Sequence, residues 1–313
     1  MASVADAHVA VASAVHACSN LKIIFNERKI APNEIFWGNL SFISENFATF
    51  AAQIQHSAPM KQAMIFAAGL GTRLKPLTDT MPKALVRVGG QPLLWHVIQK
   101  LKLSGYERIV VNVHHFAEQI VDYLKANNYF DIDIRISDET SELLETGGGI
   151  KKAMPLFDPA EPILIHNVDI LSNLDLEALP MDAPLLVVSE RKTKRYLQFD
   201  DTMRLQGWIN IETGEQKGPI TPLELCSLAI GGTQEHSSLN TQLRNLAFSG
   251  IHVFHPSLVP LLADWPERFP IMDFYLKACG DHLIRGYEAK NLRLMDVGKL
   301  NTLHDAEAFI ESL

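Results

Sequence analysis

Short hydrophobic runs alternate with amphipathic segments over residues 64–188 of this chain. The runs predict buried strands, the alternating isoleucines of residues 132–136 predict a further strand, and apolar residues spaced three or four apart predict helices. The predicted strands are residues 64–66, 109–113, 132–136, 163–165 and 185–188, and the predicted helices are residues 93–101, 116–124 and 147–154. This alternation predicts an α/β fold, a doubly wound, mostly parallel, Rossmann-like sheet with helices on both faces. Ligands of such a sheet bind at the carboxyl ends of its strands.

The pattern changes after about residue 190. Residues 196–199, 205–211 and 247–254 read as strands separated by turns, which indicates a small antiparallel β insertion. Helices are predicted at residues 256–262, 271–279 and 297–309.

The amino-acid composition argues against some classes of binding partner. The net charge of −8 argues against a surface for nucleic acid or for an anionic membrane, and no apolar run reaches membrane-spanning length. The three cysteines, Cys18, Cys226 and Cys279, are far apart and form neither a metal-ligand spacing nor a disulfide framework. We therefore expect a reduced, cytoplasmic setting.

One segment is basic, although the chain as a whole carries a net negative charge. Residues 67–83 read AAGLGTRLKPLTDTMPK, in which two glycines follow a predicted strand and the basic side chains outnumber the single acid, Asp79. A glycine turn exposes backbone N–H groups, and nearby cations neutralise phosphate charge, so this segment predicts a polyphosphate site. It does not match a Walker loop, and Leu74 stands where a dinucleotide fingerprint needs its third glycine.

The longer pattern G-x-G-T-R-L-x-P-L-T, followed by P-K-A-L, resembles the signature of the sugar-phosphate nucleotidyltransferases, the nucleoside-diphosphate-sugar pyrophosphorylases. In that family the loop wraps the triphosphate of a nucleotide. The resemblance implies that Arg73 and Lys83 are catalytic, holding the triphosphate charge. It also implies nucleotide binding by four residues of the loop, which are Ala68, Gly69, Gly71 and Thr72. The antiparallel insertion would then cover the sugar side.

Two aspartates lie in contexts that resemble the magnesium positions of the family. Asp169 follows a buried strand in I-L-I-H-N-V-D-I, and Asp296 lies in L-M-D-V-G-K-L. The resemblance implies Mg²⁺ as the cofactor; a helix cap or turn is the other reading of each aspartate. Val168 replaces the glycine usual in the first motif. Asn167 matches an asparagine of the branch that contains N-acetylmuramate-1-phosphate uridylyltransferases, where it contacts ligand.

The residues that would contact the base and the sugar are indicated less specifically by the sequence than those of the glycine loop. Residues 144–150, LETGGGI, resemble the base-recognition loop of the same branch, so Thr146, Gly147 and Gly148 are candidates for nucleotide binding. Gly250 resembles a small-residue turn beside the sugar. The E-K-P motif, whose lysine holds the sugar phosphate in many relatives, is not found in the sequence. One of four nearby cations could serve instead, although a solvated strand end is the other reading; these are Arg191, Lys192, Lys194 and Arg195.

Two features receive no chemical role. Residues 1–59 are predicted to be an N-terminal extension of unknown role, ahead of a nucleotidyltransferase domain at residues 60–313. The histidine pairs at 114–115 and at 252 and 255 lack the acids or cysteines of a zinc site, so we expect them to be structural or solvated.

The resemblance implies that the phosphate of a sugar 1-phosphate attacks the α-phosphorus of a nucleoside triphosphate, which releases pyrophosphate. Uridylyl transfer to N-acetylmuramate 1-phosphate is the first expectation, and guanylyl transfer to mannose or heptose 1-phosphate is the alternative. A non-catalytic, nucleotide-sugar-sensing regulatory subunit of the same fold is a further alternative. The expected partners are the two substrates, without nucleic acid or membrane, and an oligomer is possible. A nicotinamide dehydrogenase is disfavoured because no acid ends the second strand, at Asn112 and Val113.

Overall fold

The computed structural model describes residues 60–219 and 243–313. The predicted extension at 1–59, together with Cys18 and Cys226, lies outside these described residues. The strands are β1 (Gln62–Phe66), β2 (Arg87–Val88), β3 (Gln91–Pro92), β4 (Arg108–Val113), β5 (Asp133–Asp138), β6 (Ile163–Asn167), β7 (Ile170–Ser172), β8 (Leu185–Ser189), β9 (Arg195–Phe199), β10 (Leu205–Asn210), β11 (Gln216–Lys217), β12 (Arg244–Phe254), β13 (Arg285–Glu288) and β14 (Leu294–Asp296). The α-helices are α1 (Leu93–Leu103), α2 (Ala117–Ala126), α3 (Glu145–Ala153), α4 (Ile271–Ala278) and α5 (Asn301–Glu311).

One mixed sheet organises the described residues. Its strand order is β11-β10-β9-β12-β6-β1-β4-β5, and β8 pairs with both β12 and β13. Strands β6, β1, β4 and β5 are parallel, as the sequence predicts. Strand β12 joins them antiparallel to β6, and β9, β10 and β11 extend the sheet as the predicted antiparallel insertion.

Side chains of alternate strand residues enter two separate apolar clusters. On β1, Ala63 and Ile65 belong to one cluster and Met64 belongs to the other. Helices α1, α2 and α5 contribute buried residues to the first cluster, and α3 and α4 contribute to the second. Helices therefore cover both faces, which explains why the central strands are almost continuously hydrophobic.

The register of the parallel strands brings three polar strand ends together. Phe66 at the end of β1 pairs with Asn112 on β4 and with Asn167 on β6. The glycine loop after β1, the end of β4 and the segment leading to Asp169 are therefore neighbours, as the carboxyl-end rule predicts.

A short antiparallel ribbon of β7 and β14 was not predicted. Its register places Asp296 opposite Ile170, and the Val297 amide donates to the Asp169 carbonyl over 2.8 Å. This ribbon brings Asp296, which is distant from β6 in sequence, beside the end of that strand.

Two predicted helices differ from the observed ones. The C-terminal helix begins at Asn301 and not at residue 297, because Val297 and Gly298 form the buried turn that follows β14. Pro256–Asp264 is a 3₁₀ helix that contains Pro260, and a proline removes a backbone donor that an α-helix interior needs. No helix within the described ranges is long and apolar enough to cross a membrane.

Candidate active site at the strand ends

The loop after β1 forms the first wall of the site. Gly71 has a φ of 64°, a left-handed conformation that favours glycine, and a Cβ there would lie 2.8 Å from Thr78 Cγ2. Its carbonyl accepts hydrogen bonds from Leu74 N and Thr78 Oγ1, both at 2.9 Å. Gly69 is exposed, with nothing within 4 Å of such a Cβ. Gly71 thus shapes the turn, whereas Gly69 leaves one side of the loop accessible to a ligand.

A buried pair of polar side chains holds the start of this loop. Asn112 Oδ1 accepts from the amides of Ala67 at 2.7 Å and Ala68 at 3.3 Å, and Asn112 Nδ2 donates to Glu139 Oε1 at 2.8 Å. Glu139 Oε2 accepts from Leu144 N at 3.2 Å, at the start of α3. Burial raises the pKa of Glu139, against the effect of these hydrogen bonds. The pair therefore ties the glycine loop to the helix that carries the predicted base-recognition residues.

Glu139 was not predicted as a site residue from the sequence. The residue directly follows β5, so the rule that ligands gather at the carboxyl ends of parallel strands identifies it in retrospect.

Both predicted catalytic cations lie beside the predicted metal carboxylates. Lys83 Nζ forms a salt bridge with Asp169 Oδ2, and the two side chains are only 11% and 17% exposed. A Cβ built on Gly298 would lie 2.6 Å from Asp296 Oδ1 and 2.7 Å from Arg73 Nη2. Two cations and two carboxylates that are distant in sequence thus converge.

This arrangement fits a hard divalent cation. Asp296 is exposed overall, although its carboxyl is partly buried. This partial burial is the larger cause that raises the pKa of Asp296, and the charge of the neighbouring Asp169 is the second. The positive charges of Lys83, Arg73 and Arg191 lower the same pKa. Two adjacent carboxylates that disfavour each other's charge are stabilised by a cation between them. Among the residues that the structure describes, no group of three or more His, Cys, Asp or Glu could hold a metal. Magnesium is commonly held by one or two carboxylates together with substrate phosphates, and the pair meets that requirement.

The first of two adjoining cavities, which we call the loop cavity, has a volume of about 390 Å³. It joins the glycine loop to the ion pair, and its lining includes Ala68, Gly69, Lys83, Asn167 and Asp169. Of the other predicted loop residues, Thr72 begins the 3₁₀ helix Thr72–Leu74 and is exposed outside this lining.

The glycines of LETGGGI have a packing role that the sequence did not reveal. The amides of Gly147 and Gly148 both donate to Phe269 O, at 2.8 and 3.2 Å. A Cβ on Gly147 would lie 2.2 Å from the Phe269 ring, and one on Gly148 would lie 2.0 Å from Glu267 O. Neither residue is among the lining residues of the two cavities described here, and their contact with the base stays a prediction. Thr146 lines both cavities and accepts from Ile271 N at 2.9 Å.

The second cavity, which we call the hairpin cavity, has a volume of about 540 Å³. It lies between the β9–β11 extension, β12 and the start of α4, and shares Phe66, Thr146 and Asn167 with the loop cavity. Its charged lining residues are Arg191, Arg195, Lys217, Glu215 and Asp273. Three cations against two acids make this cavity suited to an anionic ligand.

Gly250 is not among the lining residues of either cavity, and its role as a sugar contact stays a prediction. It has a φ of 75° at an irregularity of β12, and a Cβ there would lie 2.9 Å from Asn167 Nδ2. Gly250 thus provides room for the Asn167 side chain, which does reach both cavities.

Buried histidines flank the same region. His252 lines the hairpin cavity although it is only 2% exposed, and burial lowers its pKa to about 3. His166 is fully buried on β6, and burial lowers its pKa to about 4. Both are therefore neutral at pH 7, in keeping with a structural role.

Comparisons with known proteins agree with this geometry. A model of the family described as nucleotidyl transferase matches residues 62–183. The N-acetylmuramate alpha-1-phosphate uridylyltransferase of Caulobacter vibrioides is 46% identical over 251 residues, which cover 79% of this chain and 96% of that protein. The chain belongs to the sugar-1-phosphate nucleotidyltransferase family.

More distant relatives extend the comparison. Mannose-1-phosphate guanylyltransferase 1 of Arabidopsis thaliana is 34% identical over 121 residues, 38% of this chain and 33% of that protein. The crystal structure of HddC from Yersinia pseudotuberculosis, complexed with GMP-PN, superposes with a TM-score of 0.59. At 21% identity it covers 80% of this chain and all of that one, and it supports the fold alone. The predicted family, fold class and enzyme class, a sugar-1-phosphate nucleotidyltransferase, are confirmed.

Proposed function

We propose that this nucleotidyltransferase moves a uridylyl group from UTP to N-acetylmuramate 1-phosphate, with Mg²⁺ as its metal and residues 60–313 as its catalytic domain. The printed activity of the Caulobacter relative, which aligns over nearly its whole length, supports this choice of substrates. The observation that carries the proposal is the pair of adjoining cavities. The loop cavity holds Lys83 and Asp169, and the hairpin cavity is bordered by cations.

The substrates fit the two cavities by charge. The triphosphate would lie in the loop cavity, where the open side of Gly69 allows close approach of the phosphates and Lys83 offsets their charge. The acceptor carries a phosphate and a carboxylate, and the hairpin cavity presents an excess of cations to them. Asn167 lines both cavities, so the two substrates would meet beside it.

In the reaction, an oxygen of the acceptor phosphate forms a bond to the α-phosphorus, and the bond from that phosphorus to the bridging oxygen of pyrophosphate breaks. Both reactants are anions, so positioning and charge stabilisation supply the rate enhancement without a covalent enzyme intermediate. Arg73 and Lys83 would stabilise charge on the leaving pyrophosphate. When bound by Asp169 and Asp296, Mg²⁺ would neutralise phosphate charge at the same place.

The experiment is a matrix of the four nucleoside triphosphates against N-acetylmuramate, mannose, heptose and glucose 1-phosphates, with pyrophosphate release as the readout. We expect the highest kcat/KM for UTP with N-acetylmuramate 1-phosphate. Preference for GTP with mannose or heptose 1-phosphate would favour the second candidate, which the Arabidopsis relative's printed activity supports. No release with any pair, from protein that still binds a nucleotide sugar, would favour the regulatory subunit.

A further inference from the structure

Lys100 links helix α1 to the ribbon of β7 and β14. Its Nζ donates to the Ser172 carbonyl at 2.6 Å and to Ser172 Oγ at 3.4 Å. Val97, Ile98 and Leu101 of the same helix are buried in the first apolar cluster, so α1 is anchored in the core. Partial burial lowers the pKa of Lys100 to about 8. The ammonium is therefore charged at pH 7 but has lost part of its hydration, and the Ser172 carbonyl replaces water as its partner.

The Ser172 carbonyl points out of the ribbon. Asn173 N donates to Arg293 O at 3.2 Å on one side of Ser172. Val297 N donates to Asp169 O at 2.8 Å on the other side. Residues of an antiparallel pair alternate between hydrogen-bonded and non-hydrogen-bonded positions, so Ser172 occupies a non-hydrogen-bonded position. Its carbonyl is therefore directed away from β14, where the ammonium on α1 meets it.

This hydrogen bond holds the segment that carries the predicted metal carboxylates. Asp169 directly precedes β7, and Asp296 lies opposite Ile170 in the same register that contains Ser172. Asp169 is also held by its salt bridge with Lys83, whereas the register with β7 places Asp296. A movement of β7 relative to α1 would therefore change the spacing between the two carboxylates.

We propose that Lys100 is a positioning residue for the divalent cation: it fixes β7 against α1 and thereby sets the spacing between Asp169 and Asp296. The inference rests on the proposed function in taking these two aspartates as the metal ligands. Groups that orient metal ligands without touching the metal typically change metal affinity about 10- to 100-fold when they are removed. Lys100 acts through a strand and not on a carboxylate directly, so a smaller change is expected.

Lys102 provides a matched control on the same helix. Its Nζ donates to the Phe130 carbonyl at 2.5 Å. Phe130 precedes β5, so this contact lies at the amino ends of the parallel strands, away from the candidate site. The variants K100M and K102M each lose a hydrogen bond from a lysine to a backbone carbonyl. Urea denaturation of both measures the loss of stability, so that a difference in metal binding can be assigned to the position of the lysine.

The first measurement is binding of Mn²⁺ alone, with electron paramagnetic resonance of the free ion as the readout and no substrate present. Mn²⁺ takes the same oxygen ligands as Mg²⁺. We expect K100M to raise the dissociation constant about 3- to 10-fold and K102M to leave it unchanged. K100R keeps a cationic donor and should recover most of the affinity. D296N should lose the bound ion, which identifies the site that is titrated.

The second measurement is turnover of the preferred substrate pair as a function of Mg²⁺ concentration. We expect K100M to need more Mg²⁺ for a half-maximal rate, by the same factor as in the Mn²⁺ titration, and saturating Mg²⁺ to restore most of kcat. The KM of each substrate, measured at saturating Mg²⁺, should stay close to that of wild type.

The Mn²⁺ titration separates this inference from the proposed function, because it uses no substrate. Absence of turnover with every substrate pair contradicts the function alone, and weaker Mn²⁺ binding by K100M than by K102M still supports the inference. Equal Mn²⁺ affinities of K100M and K102M, or no recovery in K100R, would overturn the inference. Wild type that binds no Mn²⁺, or D296N that binds it as tightly as wild type, would overturn it as well.

Discussion

Asn112 and Glu139 offer a sharp test of how the glycine loop is held. The substitution Asn112→Asp keeps the side-chain shape and the acceptor for the Ala67 and Ala68 amides. It replaces the Nδ2 donor, 2.8 Å from Glu139 Oε1, with a second carboxylate oxygen. Two full charges at that separation would repel by about 6 kcal/mol at an effective dielectric constant of 20. Because this repulsion exceeds the free-energy cost of protonating one carboxyl group, we expect the carboxyl groups at positions 112 and 139 of the variant to share one bound proton.

The loss of stability that we expect for Asn112→Asp depends on pH. Keeping a carboxyl of ordinary pKa near 4.3 protonated costs about 3.7 kcal/mol at pH 7 and about 1 kcal/mol at pH 5. The folded variant binds a proton that the unfolded chain releases, so its stability falls as pH rises from about 4. We expect Asn112→Asp to lower the free energy of unfolding by up to these amounts, measured by urea denaturation at both pH values.

A double variant supplies the control. In N112D/E139Q the donor and acceptor are exchanged, since the glutamine amide can donate to the new carboxylate at position 112 while its carbonyl accepts from Leu144 N. We expect this variant to recover most of the stability at pH 7, and with it the activity that depends on the loop amides. Equal losses for Asn112→Asp at pH 5 and pH 7, or no recovery in the double variant, would refute the reasoning.

Three further outcomes are expected. Lys83→Ala should reduce turnover about 10²- to 10³-fold while circular dichroism shows a persistent fold; near-normal pyrophosphate release would contradict the role of Lys83. Gly148→Ala should lower the free energy of unfolding by about 1–3 kcal/mol, because the added methyl meets a backbone oxygen, whereas Gly69→Ala should leave it unchanged in the same urea titration. The pKa of His166 is lowered to about 4 and that of His252 to about 3, so the unfolded chain binds more protons and stability falls with pH below about 6.5, by about 1.4 kcal/mol per histidine at pH 5.5. His252→Phe should reduce the difference in unfolding free energy between pH 7.5 and 5.5 by about 1.4 kcal/mol, and an undiminished difference would show that His252 does not contribute to it.

The sequence predicted the parallel half of the sheet well because β1, β4 and β6 are buried on both faces and read as continuous apolar runs, and the edge strand β5 shows alternating isoleucines. Strand 109–113 and the loop after 64–66 were found from that signal, and convergence at the carboxyl ends followed from topology. Strand β13, with the sequence RGYE, was missed because its half-exposed residues show no alternation. Strand β14 is only three residues long and is stabilised through pairing with β7.

The sequence predicted those site residues whose role depends on the chemistry of the side chain. It did not predict those whose role depends on how neighbouring residues pack against them. The resemblance to the family implied roles for Lys83 and Asp169, and the structure brings their side chains together. A glycine that contacts a ligand and one that accommodates a neighbour look alike in sequence. Gly147 and Gly148 therefore could not be assigned until Phe269 and the backbone of Glu267 were placed against them.

The ribbon of β7 and β14 has a consequence for synthesis on the ribosome. Translation delivers the glycine loop, Lys83 and Asp169 long before Asp296, which reaches its place only by pairing back onto β7. A nascent chain can thus begin to form the pocket for a triphosphate while the second carboxylate has yet to emerge. Under the proposed function, a chain interrupted before residue 296 would lack one of the two carboxylates that hold Mg²⁺.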